Sequence, residues 1–276
     1  MKYIQFFKDI GIKNSKEFGG KVASLGEMYS AGIPVPNGFG ISIEAHREFA
    51  SKPFSMEFKV ELCNAFLKLR AKRVAVRSSA VAEDAADASW AGQLETYLNI
   101  NGDGLESAVR KCWVSVEASH VKNYAKDKNV SKEDMLVGVA VQSMVDSEVA
   151  GVMFTINPTT KNKNEIMIEG AYGLGEMVVQ GIVNPDNYLV DNKSLQVSHF
   201  GINIKERMMA FQNGKNVIVK VPEDKSDRAV LREPQVISLA KLGKMIEKHY
   251  GKPQDIEWAY KDKKFYIVQS RPITTL

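Results

Sequence analysis

Residues 255–271 read DIEWAYKDKKFYIVQSR, which is two runs of alternating apolar and polar residues around a short charged segment. Alternation with a period of two is typical of strands that bury one face, so this stretch predicts a β-hairpin. The alternation places Asp255 and Glu257 on one face of the first strand, and Gln269 and Arg271 on one face of the second. Two carboxylates, an amide and a guanidinium are therefore expected on the strands of a single hairpin.

The length of the turn decides whether these four side chains share one surface. A three-residue turn, Asp262–Lys264, sets Glu257 opposite Gln269 and Asp255 opposite Arg271. A two-residue turn shifts the register by one residue. Asp255 and Glu257 would then lie on one face of the hairpin, and Gln269 and Arg271 on the other. The three-residue turn is thus the register in which the hairpin is a candidate site.

The chemistry of this polar face admits two interpretations. Carboxylate and amide oxygens are hard ligands of the kind that Mg2+ prefers, and an arginine beside them can bind phosphate oxygens in a bidentate fashion. The alternative is an edge hairpin with a solvated polar face and an Asp255–Arg271 cross-strand ion pair. From the hairpin alone, the structural interpretation is favoured.

Two further cations stand where a charge needs a partner. Arg77 lies inside the apolar strand Val74–Ser79, where it is either a phosphate ligand or paired with Glu83 or Asp84. Lys21 follows Gly19 and Gly20 at the start of a predicted helix, where a cation opposes the helix dipole unless an anion offsets it. The motif is not a P-loop, because the upstream glycine and the Ser or Thr after the lysine are absent. Taken alone, a Gly-Gly-Lys sequence is more often a plain helix entry than an anion site.

The remaining patterns predict an α+β chain of two lobes, a helix-rich one over residues 1–130 and a strand-rich one over 131–276. Strands over 135–145 and 148–156 are predicted to form a hairpin through Asp146-Ser147. A late helix is predicted from Pro234 to Tyr250, ended by Gly251.

Two glycine-containing or apolar segments have both a structural and a functional interpretation. Residues Gln142-Ser143-Met144-Val145 are either core strand or a surface for the edge of a base, and Gly173–Glu176 is either a turn or an anion site. No ligand spacing or catalytic triad is indicated for the four histidines: His46, His120, His199 and His249.

Composition excludes several classes of protein. The 276 residues are 44% hydrophobic and 25% charged, which is ordinary for a folded globular chain. The net charge of +4 includes no arginine-rich tract, so a nucleic-acid binder is not expected. No apolar run approaches the roughly 20 residues that span a bilayer, and no signal peptide is evident, so a cytoplasmic protein without membrane partners is expected. The two cysteines are predicted to be buried thiols.

Taken together, these stretches resemble the nucleotide-binding domain shared by phosphoenolpyruvate synthase, pyruvate phosphate dikinase and rifampicin phosphotransferase. The resemblance spans nearly the whole chain, with five motifs in family order: Gly19–Met28, Val76–Ala80 running to Ala88–Gln93, Gly151–Pro158, Gly173–Glu176 and Gln269–Pro272. It implies an ATP-grasp fold in which two lobes clasp a nucleotide cleft.

The resemblance also implies roles for individual residues. Lys21 and Arg77 would hold the phosphates of ATP, and Arg271 would stabilise the transferring phosphoryl group. The loop over the β- and γ-phosphates would be formed by Gly92, Gln93 and Thr96. The adenine would be lined by Gln142, Ser143, Met144 and Val145. Mg2+ would be carried by Glu257 and Gln269, with Asp255 nearby.

In that family the phosphoryl group passes to a histidine on a separate domain, and the sequence ends at Leu276, soon after the Gln269–Pro272 motif. We therefore expect a kinase or phosphotransferase component that acts on a histidine of another domain or polypeptide, as in pyruvate water dikinase. The alternatives are a fragment of a split synthase, an ATP-sensing regulatory module without turnover, and a scaffold that has lost the nucleotide.

Overall fold

The computed structural model describes residues 2–81, 95–116 and 135–274. The chain divides into two compact units: Met1–Gly32 with Pro36–Met144, and Ile33–Val35 with Val145–Leu276. Both units contain helices packed on a sheet, which confirms the predicted α+β class.

The first unit is built on a five-stranded sheet with the strand order β1-β2-β5-β3-β4. Its strands are β1 (Ile4–Phe6), β2 (Gly38–Ile41), β3 (Val74–Ala80), β4 (Thr96–Ile100) and β5 (Val137–Ser143). Its helices are α1 (Ser15–Phe18), α2 (Gly20–Ser30), α3 (Ile43–Phe49), α4 (Met56–Leu69) and α5 (Leu105–Ser115), with single 3-10 turns at Phe7–Asp9 and Ile12–Asn14.

The core of this unit lies on one face of the sheet. Val137, Val139 and Val141 alternate along β5 and are fully buried with residues of α4 and α5 such as Phe58 and Trp113. Since β5 pairs with both β2 and β3, it lies inside the first sheet. The units accordingly divide at Met144 and Val145, later than the lobe boundary at 130 that composition suggests.

The second unit is built on a six-stranded sheet with the strand order β13-β12-β6-β7-β8-β9, beside a two-stranded sheet of β10 and β11. Its strands are β6 (Val149–Phe154), β7 (Glu165–Tyr172), β8 (Asp186–Asp191), β9 (Val197–Gly201), β10 (Arg207–Gln212), β11 (Lys215–Lys220), β12 (Gln254–Lys261) and β13 (Lys264–Pro272). Its helices are α6 (Glu176–Val179), α7 (Glu223–Ser226) and α8 (Glu233–Tyr250).

Helix α8 covers one face of the six-stranded sheet. It buries Val236, Leu239 and Ile246, and Gly243 lies so close to Met153 of β6 that an added Cβ would stand 2.7 Å from the Met153 side chain. The helix ends at Gly251 with φ at 67°, in the left-handed region that favours glycine, so the predicted helix and its terminator are confirmed.

The predicted hairpin through Asp146-Ser147 is wrong. Strand β5 pairs with β2 and β3, whereas β6 pairs with β12 and β7 of the other sheet. Both are valine-rich strands with two partners each, and an apolar run cannot indicate which partners it takes. The short segment is therefore a connection between units rather than a hairpin turn.

One cysteine also departs from expectation. Cys112 is buried in α5, but Cys63 is exposed on α4.

Among the described residues, no helix is long and apolar enough to cross a membrane.

Candidate functional site

The terminal hairpin β12–β13 has the predicted residue pairs, but its turn differs from the predicted one. Its turn has two residues, Asp262 and Lys263, with φ of 49° and 61°, so the predicted three-residue turn is wrong. Trp258 faces Ile267, and a β-bulge then shifts the register by one residue. The extra residue in the bulge is Val268. This one extra residue offsets the one-residue shift that a two-residue turn introduces, so the strands beyond the bulge pair as a three-residue turn would have paired them.

After the bulge, Glu257 lies opposite Gln269 and Asp255 lies opposite Arg271. Directly paired residues of antiparallel strands point to the same face, so all four polar side chains share one surface. This is the arrangement that the sequence predicted. Arg271 is on the edge strand β13, and the two carboxylates are on the neighbouring strand β12.

Asp255 and Arg271 form a cross-strand ion pair. The Nε and a terminal nitrogen of Arg271 donate to Oδ2 of Asp255, at 2.8 and 2.6 Å. Burial raises the pKa of Asp255, while the adjacent guanidinium acts in the opposite direction. The ion pair expected of a purely structural hairpin is thus present, and it leaves Asp255 better placed to orient Arg271 than to bind a metal through Oδ2.

The metal-binding potential of this face rests on Glu257 and Gln269. They offer carboxylate and amide oxygens from directly paired positions, which suits Mg2+, an ion that takes one or two carboxylates and completes its shell with water and phosphate. In the part of the chain that the structure describes, no three acidic, histidine or cysteine side chains are grouped closely enough to hold a metal ion. The donor set therefore fits a magnesium ion shared with a phosphate ligand rather than an all-protein cage.

The same face continues across the sheet away from the hairpin. Glu257 pairs with Val152, Val152 pairs with Glu169, and Glu169 pairs with Asn187, so the four side chains form one row. Met153, next to Val152, points to the opposite face and contacts α8. The row therefore lies on the face turned away from α8. Glu169 was missed by sequence reasoning, although the alternation in Glu165–Tyr172 already separates it from the buried Ile166 and Ile168.

In the first unit, Lys21 is held against β3. Gly19 adopts φ 84° and ψ 163°, a conformation almost restricted to glycine, and an added Cβ would stand 2.0 Å from the Ser79 carbonyl oxygen. The Val22 amide donates to the Ser79 hydroxyl at 3.0 Å, and Nζ of Lys21 donates to the Ser78 carbonyl at 3.0 Å. The Gly-Gly-Lys motif and the Arg-Ser-Ser motif, distant in sequence, are thus one local structure.

Arg77 lies on the side of the sheet that α2 covers. It is 7% exposed, and it shares a face with Ser79, two residues along β3, whose hydroxyl contacts α2. Thr96 pairs with Arg77 across β3 and β4. Lys21, Arg77 and Thr96 are therefore brought together on one side of the first sheet. The alternative partners of Arg77, at 83 and 84, and the predicted phosphate loop residues Gly92 and Gln93 lie outside the described residues.

The predicted base-edge segment divides between the units. Gln142 and Ser143 end β5, the Met144 amide donates to the Arg73 carbonyl at 3.0 Å, and Val145 is the first residue of its stretch in the second unit. The side chain of Gln142 is 2% exposed, and its amide nitrogen has no hydrogen-bond acceptor within the described ranges. A buried donor without an acceptor is costly, which favours a role for this nitrogen in ligand binding.

The glycine segment at 173–176 behaves as a turn. Gly173 has φ at 80°, and an added Cβ would stand 2.3 Å from the Met209 carbonyl oxygen. The structure thus explains this glycine by close packing against β10. A surface pocket of about 770 Å3 also lies at this end of the unit, lined by residues such as Ile204 and Lys220, and it includes none of the predicted site residues.

Comparison with known proteins places these residues in a family context. Residues 44–276 match the family described as "Pyruvate phosphate dikinase, AMP/ATP-binding domain". A probable phosphoenolpyruvate synthase of Methanocaldococcus jannaschii is 39% identical and covers 100% of this chain and 27% of its own length. One from Archaeoglobus fulgidus is 41% identical over 94% of this chain and 40% of that protein. An uncharacterised phosphotransferase of Bacillus subtilis is 38% identical over 96% of this chain and 34% of that protein.

The chain thus spans less than half the length of these curated relatives. Among solved structures, a D-alanine–D-alanine ligase from Bacillus anthracis covers 92% of this chain and 60% of its own, at 8% identity and a TM-score of 0.40.

Proposed function

Since the chain belongs to the family of pyruvate phosphate dikinase AMP/ATP-binding domains, we propose that it binds Mg-ATP and transfers a phosphoryl group to a histidine on another domain or polypeptide. The observation that carries the proposal is the shared face of the terminal hairpin, where Glu257 meets Gln269 and Asp255 meets Arg271. Phosphoryl transfer needs positioning and neutralisation of charge more than a protein nucleophile, and these four side chains suit that task.

Each group of residues has a distinct part in the proposal. Glu257 and Gln269 would hold Mg2+, which neutralises negative charge on bridging phosphate oxygens when bound. Arg271, oriented by Asp255, would contact the transferring phosphoryl group. These residues belong to the later, strand-rich part of the chain.

The earlier part would supply the contacts to phosphate and base. Lys21 and Arg77 would bind phosphate oxygens directly. Thr96, together with Gly92 and Gln93, would form the loop over the β- and γ-phosphates. The buried amide nitrogen of Gln142 would donate to an acceptor on the base, beside Ser143, Met144 and Val145. The expected ATP-grasp fold is part of this proposal.

Binding is tested by calorimetric titration of the purified chain with ATP, with and without Mg2+, and with GTP as the competitor. Saturable binding that strengthens with Mg2+ and favours ATP is expected. Absence of ATP binding would contradict the proposal and leave a scaffold that has lost the nucleotide.

Transfer is tested with ATP labelled at the β- or the γ-phosphate and a separately produced histidine-bearing domain from a full-length relative. Acid-labile, base-stable label on that domain is the expected result, because phosphohistidine has this stability. Glu257→Ala and Arg271→Ala should each abolish labelling while circular dichroism stays unchanged. ATP binding without any transfer would instead support the ATP-sensing module.

A further inference from the structure

Helix α4 carries apolar residues on two faces. One face belongs to the core of the first unit and is formed by the buried Phe58, Leu62, Ala65 and Leu69. The other face has four exposed apolar side chains, which are Met56 at 75%, Val60 at 52%, Leu67 at 64% and Cys63. A surface helix ordinarily buries one apolar stripe and turns polar residues outward. The exposed stripe, which we call the α4 seam, is therefore not explained by the core.

The spacing of the α4 seam is that of a contact between helices. Its residues are separated by four, three and four positions, the spacing that keeps the side chains of one helix facing a partner helix. They follow one side of α4 over about three turns, or roughly 16 Å. Single exposed apolar residues are normal on a protein surface, but a continuous row marks an interaction site. A second helix is the partner whose geometry fits the seam.

The α4 seam is complementary to itself. Its spacing of four, three and four reads the same from either end. A second copy of α4 laid antiparallel would therefore place Met56 of each copy against Leu67 of the other, and Val60 of each against Cys63 of the other. Reciprocal contacts of this kind are what a two-fold axis requires. A helix of unrelated sequence would not need a seam with this symmetry.

The charges beside the seam suit the same arrangement. Glu57 in the first turn and Lys68 in the last turn are both exposed, and they lie on the same side of the seam because eleven residues are close to three full turns. Antiparallel pairing brings Glu57 of each copy near Lys68 of the other, and it also brings opposite ends of the two helix dipoles together. On the other side, Lys59 is paired with Glu106 of α5 at 3.1 Å, so its charge is offset within the chain.

We propose that the chain forms a two-fold dimer through antiparallel pairing of α4 with α4 of a second copy. The contact is short, about three turns of one helix, which is at the low end of protein interfaces, so the dimer is weak and reversible. The inference concerns a surface of the first unit, and none of the seam residues belongs to the proposed nucleotide site.

Sedimentation velocity of the purified chain over a range of concentrations measures the association. The weight-average mass should rise reversibly from 30.7 kDa towards twice that value as the concentration increases, with or without ATP. Val60→Lys, which places two cations close to the axis, should weaken the association roughly tenfold or more. Met245→Lys is the matched control, because Met245 is an exposed apolar residue of α8, and it should associate as the wild type does. Circular dichroism should be unchanged in both variants.

Cross-linking with a short bis-maleimide tests the antiparallel direction. The chain has two cysteines, and Cys112 is buried, so Cys63 is the thiol that reacts. The two copies of Cys63 would be displaced along the helices by about 4.5 Å and should cross-link, whereas Cys63→Ser should not. Met56→Cys in the Cys63→Ser background should also fail, because its two copies would be displaced by roughly 16 Å. Adding Leu67→Cys should restore cross-linking, because Met56 and Leu67 meet across the axis.

Two results would overturn the proposed dimer. One is a wild-type chain that is monomeric at every concentration, which would leave the α4 seam for a helix of another polypeptide. The other is association that is unchanged in Val60→Lys. Cross-linking through Met56→Cys alone would overturn the antiparallel direction. Each of these results leaves the proposed function standing, since ATP binding is measured separately.

Discussion

The two sheets carry polar residues of opposite character on faces that are built differently. In the first unit, Lys21 and Arg77 lie on the side that α2 covers, and α2 approaches closely because Gly19 has no side chain. In the second, Glu257 and Gln269 lie on the face turned away from α8. A cationic face can contact phosphate directly, whereas a face of oxygen donors repels phosphate until a metal ion is bound. Substitutions on the two faces should therefore differ in how their effect on ATP binding depends on Mg2+.

The largest effect is expected from breaking the cationic face with Gly19→Ala. The substitution combines a backbone conformation almost restricted to glycine with a clash against the Ser79 carbonyl, and should destabilise the chain by about 3 kcal/mol or more. Urea unfolding followed by circular dichroism measures it.

Gly32→Ala is the control, because Gly32 also has positive φ, at 76°, but has nothing within 4 Å of an added Cβ. Only the conformational cost of about 1 kcal/mol should remain there. Equal losses in the two variants would show that the close approach of α2 to β3 is unimportant.

A second prediction concerns Glu257 and Gln269, the pair proposed to hold Mg2+. Glu257→Gln should remove most of the strengthening of ATP binding by Mg2+, roughly tenfold or more, because an amide lacks the negative charge that the ion prefers. Binding without Mg2+ should change little. Titration at zero and saturating Mg2+ measures both, with Glu148→Gln, an exposed carboxylate paired with Lys261, as the control. If Glu257→Gln keeps the full dependence of ATP binding on Mg2+, Glu257 is not a ligand of the metal ion.

Arg77→Ala should show the opposite signature. Loss of a direct phosphate contact is expected to weaken ATP binding about tenfold to a similar degree with and without Mg2+. Arg73→Ala, directly before β3 and outside the proposed phosphate contacts, is the control for a general loss of positive charge. Unchanged affinity in Arg77→Ala would return this residue to a structural ion pair.

The smallest effect concerns stability and pH. Because the pKa of Glu169 is raised in the folded chain above its ordinary value of 4.5, its ionisation opposes folding. Glu169→Gln should therefore raise the free energy of unfolding at pH 7, by less than about 1 kcal/mol. The gain should vanish below the unfolded pKa, where the carboxyl is protonated in both states. Thermal unfolding at pH 4 and pH 7 measures the difference, and a loss of stability at pH 7 would contradict it.

The hairpin shows how far local pattern carries. Alternation in residues 255–271 correctly indicated two strands and the pairing of Glu257 with Gln269. It did not indicate the route, because a three-residue turn and a two-residue turn followed by a bulge at Val268 give the same parity. Strand β12 also pairs with β6, which lies about a hundred residues earlier in the chain, and the local pattern carries no information about that pairing.

The first unit shows the complementary limit. Taken singly, Arg77 was explained equally well by a structural role, Lys21 was better explained as a plain helix entry, and Glu169 was not noticed at all. Their significance comes from neighbours far away in sequence: Ser78 and Ser79 for Lys21, and Glu257 for Glu169.

Residue order alone was sufficient for the class of fold, for α8 with its terminating Gly251, and for which side chains of each strand share a face. These follow from backbone periodicity and turn chemistry, which act over a few residues. The partners of β5 and β6, the bulge, the contact of Gly19 with Ser79 and the row that joins Glu257 to Glu169 required the folded chain. Strand pairing and close packing link residues far apart in sequence, and an apolar strand is compatible with many partners until the whole core is assembled.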